Sequence, residues 1–173
     1  MKSLVYDKIR LGVAVLLYLC ATSWADAKVK LPALISDGMV LQREQSVKVW
    51  GTADAGENIT IEFQKKSYHA TADANGQWSI TLPPLKAGGP FLMQINDIKL
   101  NDILVGDVWL CSGQSNMELP VKRVMDMFSN EILNYNNEKI RHILIPQKYN
   151  FHAPQEEISA TSWKTLTQKN VME

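Results

Sequence analysis

The chain has 173 residues, and its 18 basic and 18 acidic side chains cancel and are scattered along the sequence. A neutral, unpatterned surface excludes the electrostatic footprint of a nucleic-acid binder or of a protein held on an anionic membrane, and it suits neutral or weakly charged ligands. Two cysteines, Cys20 and Cys111, are too few for a disulfide-stapled scaffold.

The N-terminus reads as an address. Lys2, Lys8 and Arg10 precede an apolar run over 11–20, and Ala25-Asp26-Ala27 offers a small-x-small cleavage site. This pattern predicts a removable signal peptide over residues 1–27 and an exported protein, periplasmic or extracellular. The run is shorter than the ~20 apolar residues of a spanning helix, so no stable membrane insertion is expected after signal removal. Bulky Leu19 before Cys20 argues against a lipid-modified cysteine. Cys111, then the sole cysteine, reads as a small buried hydrophobe among Val108, Trp109 and Leu110 rather than as a nucleophile. The rest suffices for one ordinary domain and is too short for two complete ones.

Residues 28–104 are written in period-2 segments separated by turn residues, the pattern of an antiparallel β-sandwich domain. Strands are expected over 47–51, 58–63, 68–72, 77–82, 91–95 and 99–103. Asp54-Ala55-Gly56 and Asp73-Ala74-Asn75-Gly76 supply turn residues that tolerate positive φ, while Pro83-Pro84 and Gly88-Gly89-Pro90 deny helix and ladder to the link between strands. Trp50, Ile61, Phe63, Trp78 and Ile80 are the expected core.

From residue 105 the pattern changes. Residues 105–111 form a nearly continuous apolar run of the kind used by a parallel strand covered on both faces. Val121, Met125, Phe128 and Ile132 then recur at helical spacing, with Lys122, Arg123, Asp126 and Asn130 elsewhere on the wheel. A second apolar run over 140–145 ends at Pro146. Strand, turn, helix and strand make one βαβ unit, so residues 105–173 are expected to be the incomplete first part of an α/β domain. A single unit leaves its apolar faces in water, and poor solubility is expected of it.

Between strand and helix lies Gly113-Gln114-Ser115-Asn116. This tetrapeptide resembles the first block of the SGNH hydrolases, and residues 109–118 resemble the sialate O-acetylesterase branch of that superfamily. Residues 34–43, Leu-Ile-Ser-Asp-Gly-Met-Val-Leu-Gln-Arg, resemble the opening of the same proteins, where a β-sandwich precedes the hydrolase domain. The likeness spans roughly residues 31–163. It implies a flavodoxin-like SGNH hydrolase domain, of which only the N-terminal part is present in a fragment.

A serine hydroxyl needs a neighbouring base, usually a histidine oriented by a carboxylate, to act as a nucleophile. At a strand-to-helix bend, Ser115 would face a cleft with free N–H groups nearby to hold an oxyanion. Met117 stands where the Gly-x-Ser-x-Gly elbow has its second glycine, so that motif is not met. The resemblance implies Ser115 as nucleophile and its backbone N–H as one oxyanion donor. It also implies a Gly and an Asn from later blocks and a C-terminal Asp-x-x-His pair. His69, His142 and His152 follow Lys66, Lys139 and Tyr149 by three positions, so the chain holds no Asp-x-x-His. The competing role for Ser115 is a turn or N-cap serine. Gly113, Gln114 and Asn116 support the turn, by bracing or by ordinary turn chemistry.

The three histidines read as structural, His69 as a solvent-facing or cross-strand residue, because none has a carboxylate spaced to orient it. No metal-ligand spacing exists and no cofactor is implied. Trp50, Trp78 and Trp109 read as core rather than as a sugar-stacking platform. Met117, Met125 and Met127 need no cofactor, and Met125 is assigned to the buried helix face.

The function implied by the resemblance is an exported carbohydrate esterase that removes O-acetyl groups from sialic acids or related glycans. An acetylxylan-type esterase would use the same chemistry, and a non-catalytic glycan-binding β-sandwich would also explain the absent histidine pair. The fragment itself is expected to be inactive.

Overall fold

The computed structural model describes residues 29–146, 148–153 and 162–170. The leader expected over 1–27 lies outside the described residues. The fold is mostly sheet. Its strands are β1 (Val40–Gln42), β2 (Val47–Thr52), β3 (Asn58–Phe63), β4 (Lys66–Thr71), β5 (Gln77–Leu82), β6 (Gly88–Ile95), β7 (Ile98–Gly106), β8 (Asn137–His142) and β9 (Lys164–Leu166). One helix, α1, covers Met125–Asn134.

Alternation decides the layers. In β3, Ile59, Ile61 and Phe63 point inward, and in β5 Trp78, Ile80 and Leu82 do the same, while the residues between them stay in water or at half depth. A five-stranded sheet in the order β1-β7-β6-β3-β4 and a two-stranded sheet of β2 and β5 contribute to one apolar core. Met39, Val49, Met93, Ile95, Ile103 and Val105 complete it, and Phe91 meets Phe63 edge-on at 5.8 Å between ring centres. Trp50 is half-buried and packs against this core rather than within it.

The expected strands over 58–63 and 77–82 appear with those bounds, and the other four appear with shifted ends. The differences are instructive. β1 was not anticipated, since three residues are too few to show a period, and it runs parallel to β7 within an otherwise antiparallel sheet. Gly88-Gly89-Pro90 does not break the ladder. Gly88 pairs with Val105, and the sequence between Gly88 and Phe91 is absorbed as a register shift. At Asp73-Ala74-Asn75-Gly76 the Asp73 carboxylate accepts from the Asn75 and Gln77 amides at 2.8 and 2.9 Å. Gly76 has φ +75°, and a Cβ there would lie 2.3 Å from the Ala53 carbonyl oxygen, so only glycine fits.

The expected βαβ unit does not form. Val105 belongs to β7, which pairs antiparallel with β6, and the strand ends at Gly106. Residues 107–114 have no regular structure, with Trp109 84% and Leu110 83% exposed. Cys111 is exposed as well, not buried. An apolar run becomes a doubly covered strand only when helices lie on both its faces, and among the described residues none covers Trp109 or Leu110. Strand β8 takes only the start of the run over 140–145 and pairs antiparallel with β9. The helix over Val121 to Ile132 is split into a 3₁₀ turn, Val121–Val124, and α1, which is kinked at Phe128 (φ −130°). Of the four apolar positions on its expected face only Ile132 is buried, and Met125 is half-buried.

Because the core is concentrated around β3, β5, β6 and β7, Phe63→Ala is expected to lower unfolding free energy by about 3–5 kcal/mol in urea titrations. A loss below ~1 kcal/mol would contradict the assignment of Phe63 to a close-packed centre.

Candidate functional site

Residues 113–118 are placed by a short chain of local constraints. Ser115–Glu118 is a single 3₁₀ turn in which the Met117 amide donates to the Gln114 carbonyl at 2.9 Å and the Leu119 amide to the Asn116 carbonyl at 3.4 Å. Met117 folds back over Gly113, where a Cβ would lie 2.8 Å from its Cγ. Pro120, which cannot donate, separates this turn from the second 3₁₀ turn and α1.

Ser115 is exposed, and among the described residues its hydroxyl makes no hydrogen bond. The N-cap of its turn is Gln114, without a side-chain cap, so the capping role open to Ser115 is not taken up. Gln114 and Asn116 are exposed too and contribute carbonyl oxygens to the turn; their side chains make no hydrogen bond among the described residues. One expectation is corrected. Ser115 follows an irregular segment rather than a parallel strand, and a four-residue 3₁₀ turn is too short to present the helix N-terminus that was to hold an oxyanion.

The histidines sit in three different places. His69 Nδ1 lies 3.1 Å from Thr60 Oγ1 in the facing position of β3, a cross-strand pair. His142 ends β8 half-buried, and His152 is exposed in the segment 148–153. Trp78 is core, whereas Trp109 stands in solvent instead of in the core. Among the described residues no group of three or more His, Cys, Asp or Glu is arranged to hold a metal ion.

What the sequence did not reveal is how the segment carrying Ser115 is held. At its entry, Arg43 Nε donates to Asp107 Oδ1 at 2.8 Å, the Arg43 amide to the Gly106 carbonyl at 2.8 Å, and the Val108 amide to Gln42 Oε1 at 2.9 Å. The hydrogen bond to the Asp107 carboxylate, then the charge of Asp107 and that of Glu44, raise the Arg43 guanidinium above its ordinary pKa. At its exit, the side chain of Arg141 in β8 is only 5% exposed and reaches back to the first strands. Its Nη1 donates to the carbonyls of Gly38 and Asp102 at 3.1 and 2.7 Å, and its Nη2 to Asp102 Oδ1 at 2.8 Å. Trp163 Nε1 adds a bond to the Leu34 carbonyl at 3.0 Å. Residues 34–43 supply acceptors or donors at both ends. The signal for this was present in part, because Gln42 and Arg43 close the stretch that resembles a family opening. Arg141, Asp102 and Trp163 carried none.

With that geometry described, the relatives can be set beside it. Human sialate O-acetylesterase is 33% identical over 131 residues, which is 67% of this chain and 25% of the human protein. The mouse sialate O-acetylesterase is 30% identical over 130 residues, 66% of this chain and 24% of its own length. A crystal structure of a carbohydrate acetylesterase from Xanthomonas citri superposes with a TM-score of 0.78 at 36% identity, covering 84% of this chain and 34% of that one. No protein-family model matches. In sequence and in fold the chain is thus a relative of the carbohydrate acetylesterases. Within them it belongs to the sialate O-acetylesterase family, and it spans about a quarter of the length of the curated relatives it matches.

The irregular, exposed stretch over 107–119 lies outside the core that protects the strands, so limited proteolysis is expected to cut there while leaving β3, β5 and β6 intact. Cleavage distributed evenly over sheet and stretch would contradict this division.

Proposed function

We propose that this chain is part of an exported carbohydrate esterase that removes O-acetyl groups from glycans, sialic acids foremost, with Ser115 as its nucleophile. On this reading residues 28–104 are a β-sandwich domain and residues 105–173 begin an SGNH hydrolase domain. The observation that carries it is an exposed serine hydroxyl without a hydrogen-bond partner among the described residues, in a Gly-Gln-Ser-Asn turn, on a chain related to carbohydrate acetylesterases. The relatives' names support the substrate class. Acetylated sialic acid is preferred over acetylated xylan because the curated relatives are sialate O-acetylesterases.

The chemistry follows from the hydroxyl. Ser115 Oγ attacks the acetyl carbonyl carbon while a base takes its proton, and the carbonyl oxygen becomes an oxyanion that the Ser115 backbone N–H helps to hold. Collapse expels the sugar oxygen, which receives the proton, and leaves acetyl-Ser115. Water, deprotonated by the same base, then attacks the acetyl carbon, the bond to Ser115 Oγ breaks, Oγ takes the proton back from the base, and acetate is released. The base and its carboxylate are not supplied by an Asp-x-x-His in this chain. Residues 1–173 alone therefore lack the groups that provide most of the rate enhancement of such a site.

The test is active-site titration of the full-length protein with a fluorophosphonate, followed by mapping of the labelled peptide. Label on Ser115, lost in Ser115→Ala together with p-nitrophenyl acetate hydrolysis, is expected; label elsewhere overturns the assignment. Residues 1–173 expressed alone should hydrolyse p-nitrophenyl acetate no faster than their own Ser115→Ala variant, and a clear excess would contradict the requirement for further groups.

A further inference from the structure

We propose that residues 34–43 and Arg141 form a two-ended clamp that sets the position of Ser115, with Arg141 as its main positioning residue. The proposal rests on the nucleophile reading above. Between Asp107 and Arg141 the chain leaves the sheet, passes through Ser115 and α1, and returns. Both ends are fastened to the same place, the edge where β1 runs parallel to β7. Arg43 and Gln42 hold the entry, and Gly38 receives the exit through Arg141.

The backbone around Arg141 is shaped for this contact. Asp102 is a non-glycine residue with φ +59°, and it sits at a bulge: Phe91 pairs with Ile103 and Met93 with Leu100, so β7 carries one residue more than β6 between those pairs. That conformation brings both the carbonyl and the carboxylate of Asp102 onto one guanidinium. Gly38 has φ +78°, and a Cβ there would lie 3.2 Å from Arg141 Nη1. Asp37 fixes the same corner, since its Oδ1 accepts from the Asn101 amide at 2.7 Å while the Gly38 amide donates to the Asn101 carbonyl at 3.0 Å. Left-handed backbone is costly at Asp102, which is not a glycine, and such a conformation is retained where surrounding contacts determine it, whereas Gly38 adopts it freely. Here both converge on one side chain.

An excursion pinned at both ends restricts where Ser115 can lie relative to the β1–β7 edge, and small displacements of a nucleophile lower rates steeply. Arg141 touches no reacting atom and acts only through the chain it holds.

The experiment uses the full-length protein with Arg141→Ala, Arg141→Lys and Arg43→Ala. Two quantities are read: the saturation kinetics of fluorophosphonate labelling at Ser115, and hydrogen exchange of the amides of 107–118 against those of β3 and β5. Arg141→Ala is expected to lower the maximal labelling rate by roughly tenfold to a hundredfold with a much smaller change in half-saturating concentration. It should also raise exchange in 107–118 while β3 and β5 stay protected. Arg141→Lys should recover part of the rate, because an ammonium can still donate to the two carbonyls. Arg43→Ala, which alters an exposed pair and leaves the fold intact, should produce a smaller loss of the same kind. Unchanged exchange in 107–118 for both alanine variants would overturn the clamp, as would an unchanged labelling rate in a variant whose exchange has risen. Absence of label from the unmutated protein would instead overturn the nucleophile reading, and the exchange measurement would still decide whether the clamp exists.

Discussion

A guanidinium taken out of water must have its donors satisfied, and Arg141 meets that demand with the nearby Glu138 carbonyl at Nε and with backbone and carboxylate oxygens of Gly38 and Asp102, far away in sequence, at its two Nη atoms. The rest of the arrangement follows from this requirement. Strand β8 has to lie against the corner formed by Gly38 and Asp102, which carries β9 and Trp163 onto the same side of the sheet. Asp102 is 51% exposed at its side chain, so the ion pair is buried on one side only. The contribution of Arg141 lies less in charge attraction than in four donor-acceptor contacts that are costly to leave unmade.

That corner also gives the stretch over 34–43 a structural role. Residues 34–43 bury only Ile35, Met39 and Leu41, and the remainder face outward or lie at half depth. Their polar members act on distant partners instead: Asp37 on Asn101, Gln42 on Val108 and Arg43 on Asp107. A hydrophobic pattern would not disclose such roles, because each depends on a residue at least 64 positions away.

How much of this was legible in the sequence depended on whether the information was local. The strands at 58–63 and 77–82 were fixed by strict alternation of buried and exposed side chains, and Gly76 by the turn chemistry around Asp73. Residues 105–111 misled, since Val108, Trp109 and Leu110 are apolar for a reason the described sheet does not supply, and a run of that kind reads as a strand whether or not its cover is present. The same limit applied to the run over 140–145, where pairing with β9 fixed an antiparallel direction that no local pattern encodes. Ser115 stands out in the sequence only through its neighbours Gly113, Gln114 and Asn116, whereas the contact between Arg141 and Asp102 was not legible, because both resemble any surface charge until their partners are known.

On the proposed function, a β framework holds the ends of an exposed segment from which the Ser115 hydroxyl would be presented to an acetyl ester. The most direct measurement is rapid-quench mass spectrometry of the full-length protein mixed with an O-acetylated sialic acid. An added acetyl mass on the peptide that carries Ser115, rising and then decaying as acetate is released, is the predicted result. Release of acetate with no acetyl mass on that peptide, under conditions that trap such esters in a known serine esterase, would contradict the account.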